Sequence, residues 1–310
     1  MLKYIWSVVW ILSTVIAKTS AWGRVGHRLT GAIADRFLNS VAKDQLASIL
    51  PPESEGKLEA VASWPDQVKY DKDSPYYLWS GDLHFASPAS QPPGSCDFSY
   101  TRDCPNDWCI VGALTNFSNQ IGCYSAQRKQ ENQDAVRFVA HLVGDVSQPL
   151  HFCGRSRGGV DEYVTWENTT VDFHYVWDSK ILEKRISTMF NNSVGAFRDH
   201  IIASIKWGAY KSLRDEWLDC GGDRNSPTAQ WLLCPHSWAL QASQLNCGSM
   251  WIDHDAPKSM DFSEDYYLDH APVVEQQVAM AGYRIAAVLN NMLMHCLKHS
   301  RMQQIPIHGD

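Results

Sequence analysis

The amino-acid sequence predicts an all-α, mainly helical protein folded as a single domain, and three observations carry that reading. Apolar residues recur every three or four positions in several segments, period-two alternation is scarce, and no repeat, low-complexity tract or long linker divides the chain. With 310 residues, 45% of them hydrophobic and 20% charged, the chain can bury a large core.

Residues 1–21 read as a signal peptide. Lys3 supplies a basic start, Ile5 to Ile16 is uncharged and apolar, and Thr19-Ser20-Ala21 fits a small-x-small cleavage site. The run is shorter than the roughly 20 apolar residues a spanning helix needs. The domain is then expected at 22–310, with no membrane span, as a monomer in the secretory or vacuolar pathway or outside the cell. Leu29, Ile33 and Phe37, with Ala34 and Leu38 beside them, predict helix until Pro51-Pro52. Ser87 to Asp107, rich in Pro, Ser and Asp, reads as loop. Val136, Val139, Val143 and Val146 mark a second helix that Pro149 ends. Ile201, Ile202 and Ile205 mark a third, and Val274 to Leu293 form a long last stripe. A tail beyond about residue 295 is a candidate for trimming.

Charge narrows the functional classes. Without Lys3 and Lys18 the balance is 25 − 34 = −9 with His neutral, so nucleic acid would not be held mainly by a basic surface. A nucleic-acid substrate would need a localised positive centre, which bound metal can supply. Nine Cys in a secreted chain imply disulfides and an odd thiol. Cys104 and Cys109 flank a short loop, and Cys220 and Cys234 bracket a Gly-rich one, so either pair could close locally. Sequons at Asn116, Asn168 and Asn191 fit glycosylation in a secretory route.

The chemistry is concentrated in paired His and Asp. His141 and Asp145 lie four apart, on one helix face, and Pro149 turns the chain so that His151 can return to them. His174 and Asp178 repeat the spacing. One such pair is commonly an ordinary N–H···carboxylate contact; two pairs and a third His point to metal, since imidazole nitrogen and carboxylate oxygen are the usual zinc donors. Asp66 in Trp64-Pro65-Asp66 and His84 in Leu83-His84-Phe85 are further candidates, each structural if taken alone. The His from His200 onward lack a matching carboxylate rhythm and read as surface or packing residues. Cleavage before Trp22 would expose an α-amine, a donor once deprotonated, with the Trp22 carbonyl and His27 within reach.

In order, W-G-x-x-G-H, W-P-D, L-H-F, H-x-x-G-D-x-x-Q-P-L-H and H-x-V-W-D run from Trp22 to Asp178. This series resembles the zinc-dependent, single-strand-specific class I nucleases, also called 3′-nucleotidase/nucleases; Trp238-Ala239 and Cys247 resemble their late helix. The resemblance implies a helical, phospholipase C/nuclease-like fold around a trinuclear zinc site. Asp66, His84, His141 and Asp145 would hold one Zn2+, and His151, His174 and Asp178 a second. The Trp22 amine and carbonyl, His27 and the shared Asp145 would hold the third. It further implies Cys96–Cys247 and Cys104–Cys109 disulfides, leaving Cys123, Cys153, Cys220, Cys234 and Cys296 unassigned.

The implied activity is hydrolysis of single-stranded DNA and RNA to 5′-phosphate products, with 3′-mononucleotides as further substrates. Asp66 would orient the attacking water or take its proton, Lys69 would steady the phosphate, and Phe85 would stack an unpaired base. Three positions depart from the family pattern: Ser87 replaces a base-contacting Asp or Asn, Val160 the Asn of a Gly-Gly-Asn, and Asp172 an Asn two residues before His174. Two rivals share the metal set. One is a zinc phospholipase C; the other is a zinc-binding glycoprotein that has lost turnover.

Overall fold

A computed structural model describes residues 22–73, 75–122, 126–255 and 260–302 of the chain. The expected signal segment lies outside them. Helix dominates, and the one sheet among the described residues is a two-stranded hairpin. Among the described residues, the α-helices of the first half are α1 (Arg24–Phe37), α2 (Ser40–Ile49), α3 (Leu58–Val61), α4 (Trp64–Val68), α5 (Tyr100–Asp103), α6 (Ile110–Gln120) and α7 (Lys129–Asp145).

The first helical stretch does not run unbroken to Pro51. It stops at Leu38, and Asn39 restarts it as α2, its side chain accepting the Ala42 N–H at 2.8 Å. Such a cap contributes about 1 kcal/mol. Asn290 on the C-terminal helix (Asp265–Met302) accepts the Asn39 N–H at 2.8 Å, tying the joint to the far end of the chain.

Two buried apolar clusters build the core. One gathers Val136, Val139 and Val143 of α7 with Ile110 and Leu114 of α6 and Leu289 of the C-terminal helix. The other gathers Trp22, Leu29 and Ile33 with Trp166, Trp177, Trp251 and Tyr266. Helix α7 is buried without interruption from Ala135 to Asp145. A helix enclosed on all sides can carry polar residues inward only if they find partners.

Glycine sets the spacing of α1. A Cβ on Gly282 would lie 2.6 Å from the Ile33 side chain, and one on Gly31 would lie 2.8 Å from the Leu58 backbone. The C-terminal helix and α3 therefore approach α1 as closely as backbone allows.

Beyond α7, Pro149–Phe152 forms a 3-10 turn, and strands β1 (Tyr163–Trp166) and β2 (Thr169–Asp172) pair antiparallel from Tyr163↔Asp172 to Trp166↔Thr169. The hairpin turn, Glu167-Asn168, has positive φ at both residues. Asp261 holds it, accepting the Glu167 and Asn168 N–H groups at 3.0 and 3.1 Å. The chain then passes a short helix, Phe173–Tyr175, and a π-helical turn, Val176–Lys180. The Ser87 to Asp107 segment is not loop throughout, because it contains α5.

Among the described residues three disulfides are present: Cys96–Cys247, Cys104–Cys109 and Cys220–Cys234. Cys153 is free and buried; Cys123 and the Cys296 side chain lie outside what is described. Asn116, Asn168 and Asn191 are all exposed. Among the described residues, no helix is long and apolar enough to cross a membrane.

Candidate metal centre

Four elements converge on one buried point. Helix α1 brings His27, α4 brings Asp66, the 3-10 segment Pro75–His84 brings His84, and α7 brings His141 and Asp145. His27 Nε2 lies 3.1 Å from Asp145 Oδ1 and 3.6 Å from Asp66 Oδ2. His84 Nδ1 and His141 Nε2 approach Asp145 Oδ2 at 3.0 and 3.1 Å. The His27 and His141 rings stack, with centroids 3.7 Å apart. Asp145 therefore meets three imidazoles at once.

A second cluster adjoins the first. The 3-10 turn after α7 carries His151, while His174 and Asp178 lie 3.1 Å apart, Nε2 to Oδ2. The His151 and His174 rings are nearly parallel at 5.4 Å. Trp22 sits between the clusters, fully buried. Its indole N–H donates to the Gly144 carbonyl at 3.0 Å, and the next amide, Gly23, donates to the Asp178 carbonyl at 2.9 Å.

Backbone carbonyls orient two of the rings. His141 Nδ1 lies 2.6 Å from the Ala62 carbonyl and His174 Nδ1 lies 2.7 Å from the Gly158 carbonyl. A carbonyl only accepts, so each Nδ1 carries the proton and each Nε2 is turned to the cluster, the arrangement that suits a metal-binding imidazole. Gly158, at φ +68°, is needed to aim that carbonyl. Gln148 performs the same service for Asp178, donating from Nε2 to Oδ1 at 2.5 Å.

Burial sets the charge states. It drives His84 down to about 4 and His151 down to about 3, so both rings are neutral over most of the acid range. Burial also disfavours charge on His141, but Asp145 and Asp66 outweigh it and raise its pKa. For Asp145 burial opposes ionisation, and His141 and His27 overcome it, holding the carboxyl well below its usual range. The cluster therefore attracts positive charge strongly.

Hydrogen bonds inside the protein do not satisfy this site. His27 Nε2 and Asp145 Oδ1 face each other, and Asp178 Oδ2 faces His174 Nε2, without a hydrogen bond satisfying His27 Nε2 or either carboxylate oxygen. Stranded buried polar atoms are costly, and a cation would satisfy them. Three groups, each with its donor atoms within 4.8 Å of one another, could hold a metal: His27/Asp66/His141, His84/His141/Asp145 and His151/His174/Asp178.

His84, His151 and His174 open onto a cleft of about 740 Å³, lined also by Lys69, Phe85, Ser87 and Val160 among others. Lys69 Nζ lies 2.7 Å from Asp66 Oδ1. Burial disfavours its charge, but Asp66 more than compensates, so Lys69 stays protonated. Phe85 is 39% exposed and is not a core residue. Asp172 caps the following helix, accepting the Tyr175 N–H at 2.7 Å. Of the later His, His270 packs on Tyr266 with ring centroids 4.0 Å apart. Sequence reading assigned no task to Gln148 or to the Gly158 carbonyl, although the Gln of the Q-P-L-H run and the paired glycines were visible.

The S1/P1 Nuclease family model matches residues 22–294. This chain belongs to the S1/P1 nuclease family. It is 32% identical to Nuclease S1 of Aspergillus oryzae (strain ATCC 42149 / RIB 40), across 88% of this chain and 92% of that protein. It is 30% identical to Endonuclease 3 of Arabidopsis thaliana, across 93% and 96%, and 27% identical to Nuclease P1 of Penicillium citrinum, across 87% and 97%. The matched span takes in every residue of both clusters, and the helical fold agrees with that of the family.

Proposed function

We propose that this chain is a zinc-dependent endonuclease that hydrolyses single-stranded DNA and RNA to 5′-phosphate products and also dephosphorylates 3′-mononucleotides. The observation that carries the reading is the convergence of His27, Asp66, His84, His141, Asp145, His151, His174 and Asp178 with buried donor atoms left unsatisfied. The names of the relatives, nucleases and endonucleases, support the substrate class.

Three zinc ions are the proposed complement. Asp66, His84, His141 and Asp145 hold one, His151, His174 and Asp178 the second, and the Trp22 amine and carbonyl with His27 and Asp145 the third. Bound zinc supplies a water of lowered pKa and draws charge from a phosphate. Asp66 is held ionised: burial raises its pKa, but His141 and Lys69 lower it further than burial raises it. It can therefore accept a hydrogen bond from the attacking water and orient it. Lys69 offers a fixed positive charge to the phosphate rather than acting as a base. Phe85, exposed on the cleft wall, stacks an unpaired base, which a duplex would not release. The preference for single strands follows from that. Ser87 beside it offers a hydroxyl rather than a carboxylate or amide, so base choice is weakly enforced.

The route proposed is secretory, with glycans at Asn116, Asn168 and Asn191 and a monomeric product. The test combines metal analysis of the processed protein with assays on single-stranded DNA, RNA, duplex DNA and phosphatidylcholine. Cleavage of the single strands is expected. Turnover of the lipid alone would replace this reading with a phospholipase, and bound zinc with no hydrolysis at all would leave a binding protein.

A further inference from the structure

Exposed aromatic rings cluster on one lip of the cleft. Trp108 is 48% exposed and lines the same cavity as Phe85. Trp79, 45% exposed, lies beside it with ring centroids 6.0 Å apart. Large apolar surface left in water costs free energy unless something covers it. An indole has no charge to repel a polyanion, which matters in a chain of net charge −7.

The Trp108 position is rigid. The Cys104–Cys109 disulfide closes its loop. The Ile110 N–H donates to the Phe85 carbonyl at 3.1 Å, binding the loop to the segment that carries the first stacking ring. Gly112 lets α6 sit directly on the loop, since a Cβ there would come 2.0 Å from the Asp107 carbonyl oxygen. Trp79 is braced from behind by Phe138, and its indole N–H is occupied by the Tyr76 carbonyl at 2.8 Å. A ring fixed in advance loses little entropy when a base lands on it.

We infer that Trp108, braced by Trp79, is a second stacking platform that receives the unpaired base neighbouring the nucleotide at Phe85. The inference rests on the nuclease reading and deepens it: it makes the preferred substrate a strand of several nucleotides rather than a single one. The occupant follows from continuity, because Phe85 and Trp108 face one cavity above the metal centre.

The test compares two substrates on the zinc-loaded protein: a short single-stranded oligothymidylate, and thymidine 3′-(methyl phosphate), which has a phosphodiester but one base. Trp108→Ala should lower kcat/KM for the oligonucleotide about 5- to 50-fold, mainly through KM. The one-base diester should be cut at the unaltered rate, and Trp108→Phe should recover most of the loss. Equal effects on both substrates, or no effect on either, would overturn the platform while leaving the nuclease intact. An unaltered protein that cuts neither substrate overturns the functional reading itself, and the platform with it.

Discussion

His27 on α1 and Asp145 at the end of α7 meet in a fully buried contact, Nε2 to Oδ1 at 3.1 Å. Two helices that are remote in sequence are thus joined through the atoms proposed to bind metal. Because Asp145 also faces His84 and His141, Asp145→Asn should remove about two zinc equivalents. Activity should fall by more than the 10- to 100-fold typical of outer-shell changes. Full zinc content in that variant, measured by elemental analysis, would refute the bridging role.

The Trp22 ring is buried and the Gly23 N–H donates to the Asp178 carbonyl, which sets the proposed amine ligand of Trp22 beside the second cluster. A protein that retains one Met ahead of Trp22 should bind about one zinc fewer and lose most of its nuclease activity. Comparison with the processed protein, each verified by intact mass, tests this; equal activity would remove the terminal amine from the ligand set.

Gln148 contacts no proposed metal but fixes Asp178 and also accepts the Leu150 N–H at 2.6 Å. Gln148→Ala should weaken zinc at the His151 cluster by about 10- to 100-fold. Competition with a chelator reads this directly. A variant with unchanged affinity would show that Asp178 needs no support.

Asp261 gives a pH prediction independent of metal. Burial raises its pKa, but hydrogen bonds from Ser263, Asn168 and Glu167 outweigh burial and bring it to about 2, from an ordinary 3.8. A carboxylate depressed on folding stabilises fully above its unfolded pKa, and that contribution disappears as pH falls toward the folded value. Asp261→Asn should therefore lower stability at pH 6 and flatten the decline between about pH 4 and pH 2. Denaturant titrations of both proteins at several pH values check it; parallel curves through that window would contradict it.

The residues proposed to bind metal were legible because their spacing is a local property. His141 and Asp145 share a face in any regular helix, and they meet here at 3.1 Å. His174 and Asp178 also meet, although the backbone between them changes from α to π geometry, which spacing alone does not reveal. The β hairpin was not legible: its strands have four residues each, and its turn places Glu167 where Gly or Asn would announce it. Helix α5 is equally short and lies among loop-forming residues. Which carbonyls aim His141 and His174 is a tertiary fact, decided by how Ala62 and Gly158 come to rest.

Gly282 and Gly31 carry no chemistry, yet they determine how near α1 lies to its neighbours. A methyl group at either position would act as a wedge, pushing the helix that bears His27 outward by tenths of an ångström. In a saturation-mutagenesis map of activity, these two inconspicuous positions should therefore be as intolerant as the proposed ligands.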